Sequence, residues 1–591
     1  VFFSPLRAAS NMSKLNCWCC PDEGAWVEQE VERALELCTN DSDSDDASER
    51  EEGGRVVRFL PGNEEALLRP LRLLVTSMNA GNEEIDLSSD DWIPRGGCLR
   101  PSPHAASSSN SGVYDIVAVG LQEAVLGSRK EVPQGNSSRR CHKLVAQVLQ
   151  HLGQNYSVAA VHVRGAMVLM VFASKTGPPI DRIVKSGENT GLGHIWHNKG
   201  GLLLQLSVGA TSLCFISAHL AAHLEHRLRR NADVSEIFWG TSVSDLNVDA
   251  PSCNHHSFFF GDLNYRLEVP PAVLGLSPTA APAEVQDAQT REILRLIEKK
   301  DFANLLQYDQ LQQEIKAGKV LHGFRAPVPT WAPTYRVRKG QPGLHYDPAR
   351  VPSYCDRVLF RSLPGCAHLL QLLSFESAPG VSSSDHKPIS TDWLLLPPPE
   401  GAGTARRQVR VNLSELSVRL NSTTRPMLRC ALLPRMGKEE LVLKSSKRQS
   451  SSPESGVVHT WRQNATLEAT ACFSTDTALS HLLLQLRDGE AAKSDGLLGV
   501  AVLSLSSLPT GGAPLRFLEP VICYGELTGT IQGVCKWMEP SANQTPQSKE
   551  REALMARAHE WLDEDTPAFV KKTSAKLSSE MPARTAPMLH L

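Results

Sequence analysis

Ser257-Phe-Phe-Phe-Gly-Asp-Leu-Asn-Tyr-Arg266 passes within a few residues from an aromatic run to a string of polar side chains. A short apolar run is the mark of a strand buried on both faces, and this one ends directly in Asp262 and Asn264. The same switch recurs elsewhere in the chain. Asp115-Ile-Val-Ala-Val-Gly-Leu121 runs into Gln122-Glu123, and Ser212-Leu-Cys-Phe-Ile-Ser217 runs into Ala218-His219. Leu71 to Thr76, Ala166 to Phe172, Gly201 to Leu206 and Arg357 to Phe360 are further runs of this kind, and helix-like stretches lie at Cys141 to Leu152, His223 to Trp239, Thr290 to Glu298 and Phe302 to Glu314. Strands interleaved with helices predict a layered α/β core that gathers ionisable side chains at strand ends.

The chain has 591 residues, too many for one ordinary core, so two or three units are expected, one of them large. Its 41% apolar content is that of a folded soluble protein, and a formal charge of -3 gives no overall pull toward nucleic acid or anionic membrane. Any membrane attraction must be local. Leu202 to Leu224 is long enough to span a bilayer, but Gly209, Thr211 and two histidines interrupt it, and it reads as two strands joined by a Val208-Gly-Ala-Thr211 turn. The start, Val1-Phe-Phe-Ser, has no export pattern, and Met12 is a candidate initiator. Fourteen cysteines without a regular even framework read as cytosolic thiols. Cys17-Trp-Cys-Cys20 has one C-x-x-C and no second pair at zinc spacing.

Residues 1–66, with the acidic run Asn40 to Glu52, are expected to be a disordered acidic tail. A catalytic domain is expected over 67–397, interrupted by a Ser-, Asp- and Gly-rich mobile loop from Gly81 to Gly112. The Pro- and Gly-rich stretch from Leu395 to Gly403 marks a linker, placed at 398–408. Alternating β-type runs then predict a smaller all-β sandwich over 409–540, and 541–591 is a tail with one helix candidate, Lys549 to Leu562.

The strand-end residues suit one chemistry. Glu123 is a hard oxygen ligand and Asn79 a neutral one, the donor types that Mg²⁺ takes while keeping waters and substrate phosphate. No Cys or His cluster at soft-metal spacing competes with them. His219, Asp262, Asn264, Asp356, Asp385 and His386 supply the acid, base and hydrogen-bonding groups for phosphoryl transfer to water. Cys355, followed at once by Asp356-Arg357, is not part of a C-x5-R phosphate loop, so a covalent cysteine mechanism is not indicated. Lys199 and the following Gly pair sit where backbone can approach phosphate, although Gly-Gly before a strand is also a common turn. His223 reads as a helix-start or substrate-rim residue.

These strings, in this order, resemble the inositol polyphosphate 5-phosphatase family of the wider endonuclease, exonuclease and phosphatase fold. The resemblance covers about residues 71 to 395. It rests on Gly120-Leu-Gln-Glu123, Asn198-Lys-Gly-Gly201, Ser217-Ala-His-Leu-Ala-Ala-His223, Gly261-Asp-Leu-Asn-Tyr-Arg266, Pro333-Thr-Tyr-Arg336, Pro352-Ser-Tyr-Cys-Asp-Arg357 and Ser384-Asp-His-Lys-Pro388. It implies two packed mixed β-sheets flanked by helices, a four-layer α/β sandwich, and Mg²⁺-dependent removal of the 5-phosphate from phosphoinositides or soluble inositol polyphosphates. By the same resemblance Glu123 binds the metal with Asn79 nearby, and Asp262 orients or deprotonates the attacking water. Asn264 and His219 hold the scissile phosphate, Asp356 orients His386, and Asp385 supports the metal or the nucleophile. Tyr335, Arg336 and Arg350 match the residues that receive the neighbouring 4-phosphate. Arg336 stands where the family usually has Lys, Pro348 replaces a frequent Lys, and Ser77-Met78 departs from the usual start of the first strand. These differences fall on the substrate pocket and on first-strand packing. A nuclease of the same fold fits the acid and base groups but not the near-neutral charge, since duplex binding usually shows a basic stripe. An inactive lipid-binding scaffold is the other alternative.

Residues 409–540 faintly resemble a C2-type sandwich, with Asp476, Asp488 and Asp495 present and no carboxylate in Asn421-Ser-Thr-Thr-Arg-Pro426. Calcium-independent behaviour is expected there, with Arg419, Arg425, Arg429, Arg435 and Lys438 as a candidate surface for anionic lipid. The expected location is cytoplasmic, with peripheral membrane association and no transmembrane segment.

Overall fold

The aromatic run forms a strand whose side chains alternate between two cores. Phe258 and Phe260 point into one cluster with Leu73, Val75, Leu202, Leu204 and Phe215, while Phe259 points into another with Val234, Ile237 and Phe238. Alternation of this kind requires apolar layers on both faces of the strand, and each fully buried aromatic contributes about 1.5–3 kcal/mol relative to exposure. The computed structural model describes residues 26–32, 60–100, 112–124, 135–191, 199–242, 247–397, 406–422, 424–433, 441–443, 447–449, 457–461, 464–472, 479–489, 496–507 and 513–538. Most of the acidic N-terminal stretch, Cys17 to Cys20, Asn198, Arg435, Lys438, Asp476, Asp495 and the Lys549 to Leu562 helix candidate lie outside them.

In chain order the core elements are α1 (26–32), β1 (Leu71–Asn79), β2 (Ile116–Gln122), α2 (Gly135–Leu152), β3 (Tyr156–Arg164), β4 (Met167–Ser174), β5 (Ile180–Asn189), β6 (Gly200–Val208), β7 (Thr211–His219), α3 (Arg227–Gly240), β8 (His256–Asp262), α4 (Pro282–Glu298), α5 (Phe302–Leu306), α6 (Gln310–Lys316), β9 (Asp356–Ser362), β10 (Leu370–Ser377) and β11 (Ile389–Leu395). One sheet has the order β10-β11-β1-β2-β4-β3 and the other β5-β6-β7-β8-β9. Each contains a single parallel pair, β1 with β2 and β7 with β8, among antiparallel neighbours. The sheets pack face to face through the Phe258 and Phe260 cluster, α2 covers the outside of the first and α3 the outside of the second. This is the four-layer α/β sandwich expected.

Three elements depart from the sequence reading. Trp92, on the loop expected to be mobile, is fully buried and donates from Nε1 to Thr76 Oγ1 at 2.6 Å, which pins that part of the loop to β1. In α1, inside the stretch expected to be a tail, Val27 and Val31 are buried in the core beneath α2. The single helix expected from Phe302 to Glu314 is split, because Asp309 caps α6 by accepting from Leu311 N at 3.2 Å and binds Arg357 at 2.6 Å. A side chain that caps a helix must itself stand outside it.

Residues 406–538 add a ten-stranded, all-antiparallel sheet that folds back on its own core of Val411, Leu413, Leu428, Leu482, Leu484, Leu503 and Ile531. It is the further β-rich region expected after the α/β core. Among the described residues no helix is long and apolar enough to cross a membrane.

Candidate active site

Strand register assembles the site. On β7 and β8, His219 lies beside Asp262, and on β8 and β9, Asp262 lies opposite Asp356. On β1 and β2, Asn79 lies beside Gln122, one residue before Glu123. The carboxyl ends of both parallel pairs therefore meet at one edge of the sandwich. Gly120 allows this approach, since a Cβ there would stand 2.6 Å from Phe260 Cε2 and from Ser217 Oγ.

Asp262 is the hub. Its Oδ2 accepts from Asn79 Nδ2 at 2.9 Å and lies 3.3 Å from His219 Nε2 and 3.9 Å from His386 Nε2, while Oδ1 accepts from Asn264 N at 3.1 Å. Burial opposes its charge, but His386, His219 and Lys199 hold its carboxyl well below the usual carboxylate range. Asp356 and His386 form a buried pair, with His386 Nδ1 2.9 Å from Asp356 Oδ2, which also accepts from Thr334 Oγ1 at 2.6 Å. Burial favours neutral His386, yet Asp356 and Asp262 outweigh it and raise its pKa to about 9. His219 goes the other way. Burial and the neighbouring Lys199 ammonium lower its pKa, and Lys199 Nζ meets its Nε2 directly. Burial also lowers the Lys199 pKa, against the pull of Asp262 and Glu123.

Glu123 is one-third exposed at the mouth, with Oε1 3.8 Å from His219 Nε2 and Oε2 3.4 Å from Asn82 Nδ2. Asn79 gives its Nδ2 to Asp262 and takes the Gly81 N–H on Oδ1 at 2.9 Å, leaving one lone pair on that oxygen. Asp262, Asp356 and His386 offer ligand atoms within 4.8 Å of one another, but the latter two are already committed to each other and to Thr334. The acidic oxygens facing the mouth are those of Glu123 and Asp262, with Asn79 beside them. This oxygen-rich set fits a hard divalent cation, and Cys355, next to Asp356 in the chain, is fully buried with its pKa pushed up by burial.

One expected residue turns aside. Arg336 is paired with Asp347 at 3.3 Å and with Asp385 at 3.1 Å, while Asp385 still acts on the central group through its charge, which helps to raise the His386 pKa. The Tyr335 ring lies 4.4 Å from the His386 ring at a tilt of 38°, and Tyr335 lines, with Arg350, His223, Arg266, Gln286 and Gln289, a pocket of 470 Å³ beside the site. Sequence reading gave no role to Arg266, Gln310, Thr334, Ser384 or Gln122. Ser384 Oγ donates to Asn79 O at 2.7 Å, and Gln122 Nε2 bridges the sheets to Ser217 Oγ at 3.2 Å. For Arg266, Thr334, Ser384 and Gln122 the signal was position alone, since each lies in a string already carrying a site residue, and Gln310 had none.

Two mixed sheets face to face, with carboxylates, imidazoles and amides converging at one edge, define an α/β sandwich of the phosphoesterase type. The chain belongs to the endonuclease/exonuclease/phosphatase family 2, whose profile matches residues 76–392. It is 26% identical over 465 residues to a human phosphatidylinositol 3,4,5-trisphosphate 5-phosphatase 1, covering 75% of this chain and 35% of that protein. It is 28% identical over 304 residues to a mouse type II inositol 1,4,5-trisphosphate 5-phosphatase, covering 50% of this chain and 28% of that one. The chain thus spans about a third of the length of these relatives. A solved inositol polyphosphate 5-phosphatase domain of a synaptojanin, in complex with inositol 1,4-bisphosphate and calcium, is 22% identical, covering 62% of this chain and 90% of its own at a TM-score of 0.42.

Proposed function

We propose that this chain is a Mg²⁺-dependent phosphatase that removes the 5-phosphate from phosphoinositides or soluble inositol polyphosphates by direct attack of water. The observation that carries the reading is the convergence on Asp262 of Asn79, His219, Asn264 and the Asp356–His386 pair, with Glu123 at the mouth. A phosphate monoester repels an anionic nucleophile, so charge on its non-bridging oxygens must be offset while one water is held in line. Glu123 and Asn79 would hold the cation, which supplies that charge and polarises the phosphoryl oxygens. Asp262, held ionised by its neighbours, accepts a proton from the water it orients. Asn264 Nδ2, Lys199 and the His386 imidazolium donate to the phosphate oxygens, and Asp356 orients the His386 ring and stabilises its charge. Tyr335 and Arg350, lining the adjoining pocket, would receive a neighbouring phosphate or the ring. Residues 409–540 are the candidate unit for peripheral contact with anionic lipid, and a cytoplasmic site of action belongs to the same reading.

The test is phosphate release from a panel of phosphatidylinositol phosphates and soluble inositol phosphates, with EDTA and then Mg²⁺ added back. Release is expected only from 5-phosphorylated species. It should fall by about 10³-fold or more in Asp262→Asn, as for loss of a group acting directly on the nucleophile. Undiminished release from Asp262→Asn and Asn264→Ala together would sink the site assignment.

A further inference from the structure

Asn264 ends in an amide that can face the site with its oxygen or with its NH₂ group, and the two have opposite consequences for a phosphate. The oxygen repels the anion and the NH₂ group donates to it. In this structure the choice is made from behind. Arg266 donates from Nη2 to Asn264 Oδ1 at 2.5 Å and from Nε to the Asn264 carbonyl at 3.1 Å. Asn264 Nδ2 gives one hydrogen to Leu220 O at 3.1 Å, and the other is left for the site. Flipping the amide would set its NH₂ group against a guanidinium and its oxygen against a carbonyl, an arrangement with two repulsive contacts in place of two hydrogen bonds.

Arg266 is itself immobilised. It is 8% exposed, its guanidinium lies 4.5 Å over the Tyr335 ring, and its backbone N–H donates to Gln310 Oε1 at 3.1 Å. Gln310 has both ends of its amide doubly engaged. Oε1 also takes Arg230 Nη2 at 2.6 Å, and Nε2 donates to Leu224 O at 3.2 Å and Glu268 Oε2 at 2.8 Å. The fully buried Arg230 donates in turn to Ala221 O at 3.1 Å and His223 O at 2.5 Å. The same lattice therefore fixes the segment that follows His219, in which Leu220 O is the second partner of the Asn264 amide.

We propose that Arg266 is a positioning residue that fixes the Asn264 amide with Nδ2 toward the scissile phosphate, and that Gln310 holds Arg266 in place. The proposal rests on the phosphatase reading above. Arg266 also borders the 470 Å³ pocket, so the test must separate action through Asn264 from direct contact with substrate.

The experiment is a double-mutant cycle in the full chain, measuring kcat and KM for Arg266→Met, Arg266→Lys, Asn264→Ala and the double variants. Arg266→Met is expected to lower kcat by about 10- to 100-fold, on the scale of losing one oriented amide donor, with KM nearly unchanged. Arg266→Lys should recover only part of this, having one point donor in place of two. In the Asn264→Ala background the Arg266 substitutions should cost nothing further. An equal loss in both backgrounds, or a loss confined to KM, overturns the proposal. Gln310→Glu keeps size but turns the Nε2 donor into an acceptor facing Glu268 and Leu224 O, and it enters the same cycle if Arg266→Met melts early. The side-chain amide resonances of Asn264 in ¹⁵N-asparagine-labelled protein, assigned with Asn264→Ala, report independently of turnover. A single pair in the wild type that shifts or doubles in Arg266→Lys is expected, and an unchanged pair refutes the proposal. Absence of metal-dependent release by the wild type, with the amide shift present, would instead remove the phosphatase reading.

Discussion

Asp356 and His386 are almost inaccessible, so their protonation is decided by one another and by Asp262 rather than by solvent. With its pKa raised to about 9, His386 is an imidazolium at neutral pH and loses that proton as pH rises through this value. If it donates to the phosphate, kcat should show a basic limb near pH 9. Asp356→Asn removes the strongest group that raises the His386 pKa. The limb should then move down by more than one unit, with kcat lower by about 10²-fold, the range for a displaced general acid. A pH profile of kcat on a soluble inositol phosphate checks both, and an unmoved limb would mean another group sets it. At this scale the sequence was readable where a residue's type alone constrains its use: Glu123, His219, Asp262, Asn264, Asp356 and His386 do come together. It was not readable where use depends on a partner distant in sequence. Arg336 is the right residue type for a phosphate ligand, but Asp347 and Asp385 hold its guanidinium. Arg266 was read as part of the string that carries the resemblance but given no role, because its contacts with Gln310 and Tyr335 cross the fold.

At the scale of elements, continuous apolar runs identified β1, β2, β4, β6, β7, β8 and β9. β3, β5, β10 and β11 were missed because polar residues interrupt them, half-buried as in Lys185, Ser186 and Glu188 of β5 or buried as in Ser390, Thr391 and Asp392 of β11, and no continuous run forms. Helix ends were misread where side chains capture the backbone. Arg230 and Asp233 bind the backbone of Ala221, His223 and Leu224, so α3 starts at Arg227 rather than His223. Gly120 is the element-scale constraint with the clearest consequence, because β2 crosses Ser217 and Phe260 with no room for a Cβ. Gly120→Ala should force the sheets apart and destabilise by about 1–3 kcal/mol, the usual cost of overpacking a core. Since Gln122 and Glu123 follow on the same strand, thermal unfolding and turnover are expected to fall together. A melting temperature within a degree of wild type would show that the sheets slide freely past one another here.

The whole molecule raises a question the sequence did not, which is how the α/β core and the following β-region are joined. A Pro- and Gly-rich linker was expected between the two, and an apolar cluster runs across the junction, with Val248, Leu363, Cys366, Leu369 and Leu396 on one side and Leu433, Leu483, Val500 and Val502 on the other. Leu482 and Leu484 point into the β-region's own core while Leu483 points outward into this seam. Even so regular a strand therefore gives no hint of which face meets a neighbour.

Within the seam two imidazoles stand 5.8 Å apart, His255 donating from Nε2 to Leu479 O at 3.0 Å and His481 from Nε2 to Pro364 O at 2.8 Å. Each bond crosses from one unit to the other and needs only a neutral ring. Burial, then His255, pushes the His481 pKa down to about 4, and burial lowers that of His255. Their unfolded values lie near 6.5, so between about pH 6.5 and 4 the unfolded chain binds more protons than the folded one. The stability these rings contribute is thus complete above pH 6.5 and drains away as pH falls toward 4. The loss should be on the order of 1–3 kcal/mol at pH 5, given up to a unit or two of unmet protonation. Urea unfolding of the full chain at pH 7.5 and pH 5 measures it, and His481→Phe, which fills the space without a titrating nitrogen, should reduce the difference while His255 and His256 keep the rest. Equal acid sensitivity in wild type and variant would place the titrating groups elsewhere. A transition that splits in two at pH 5 while remaining single at pH 7.5 would locate the loss at the seam itself, since protonation of these rings acts between the two units.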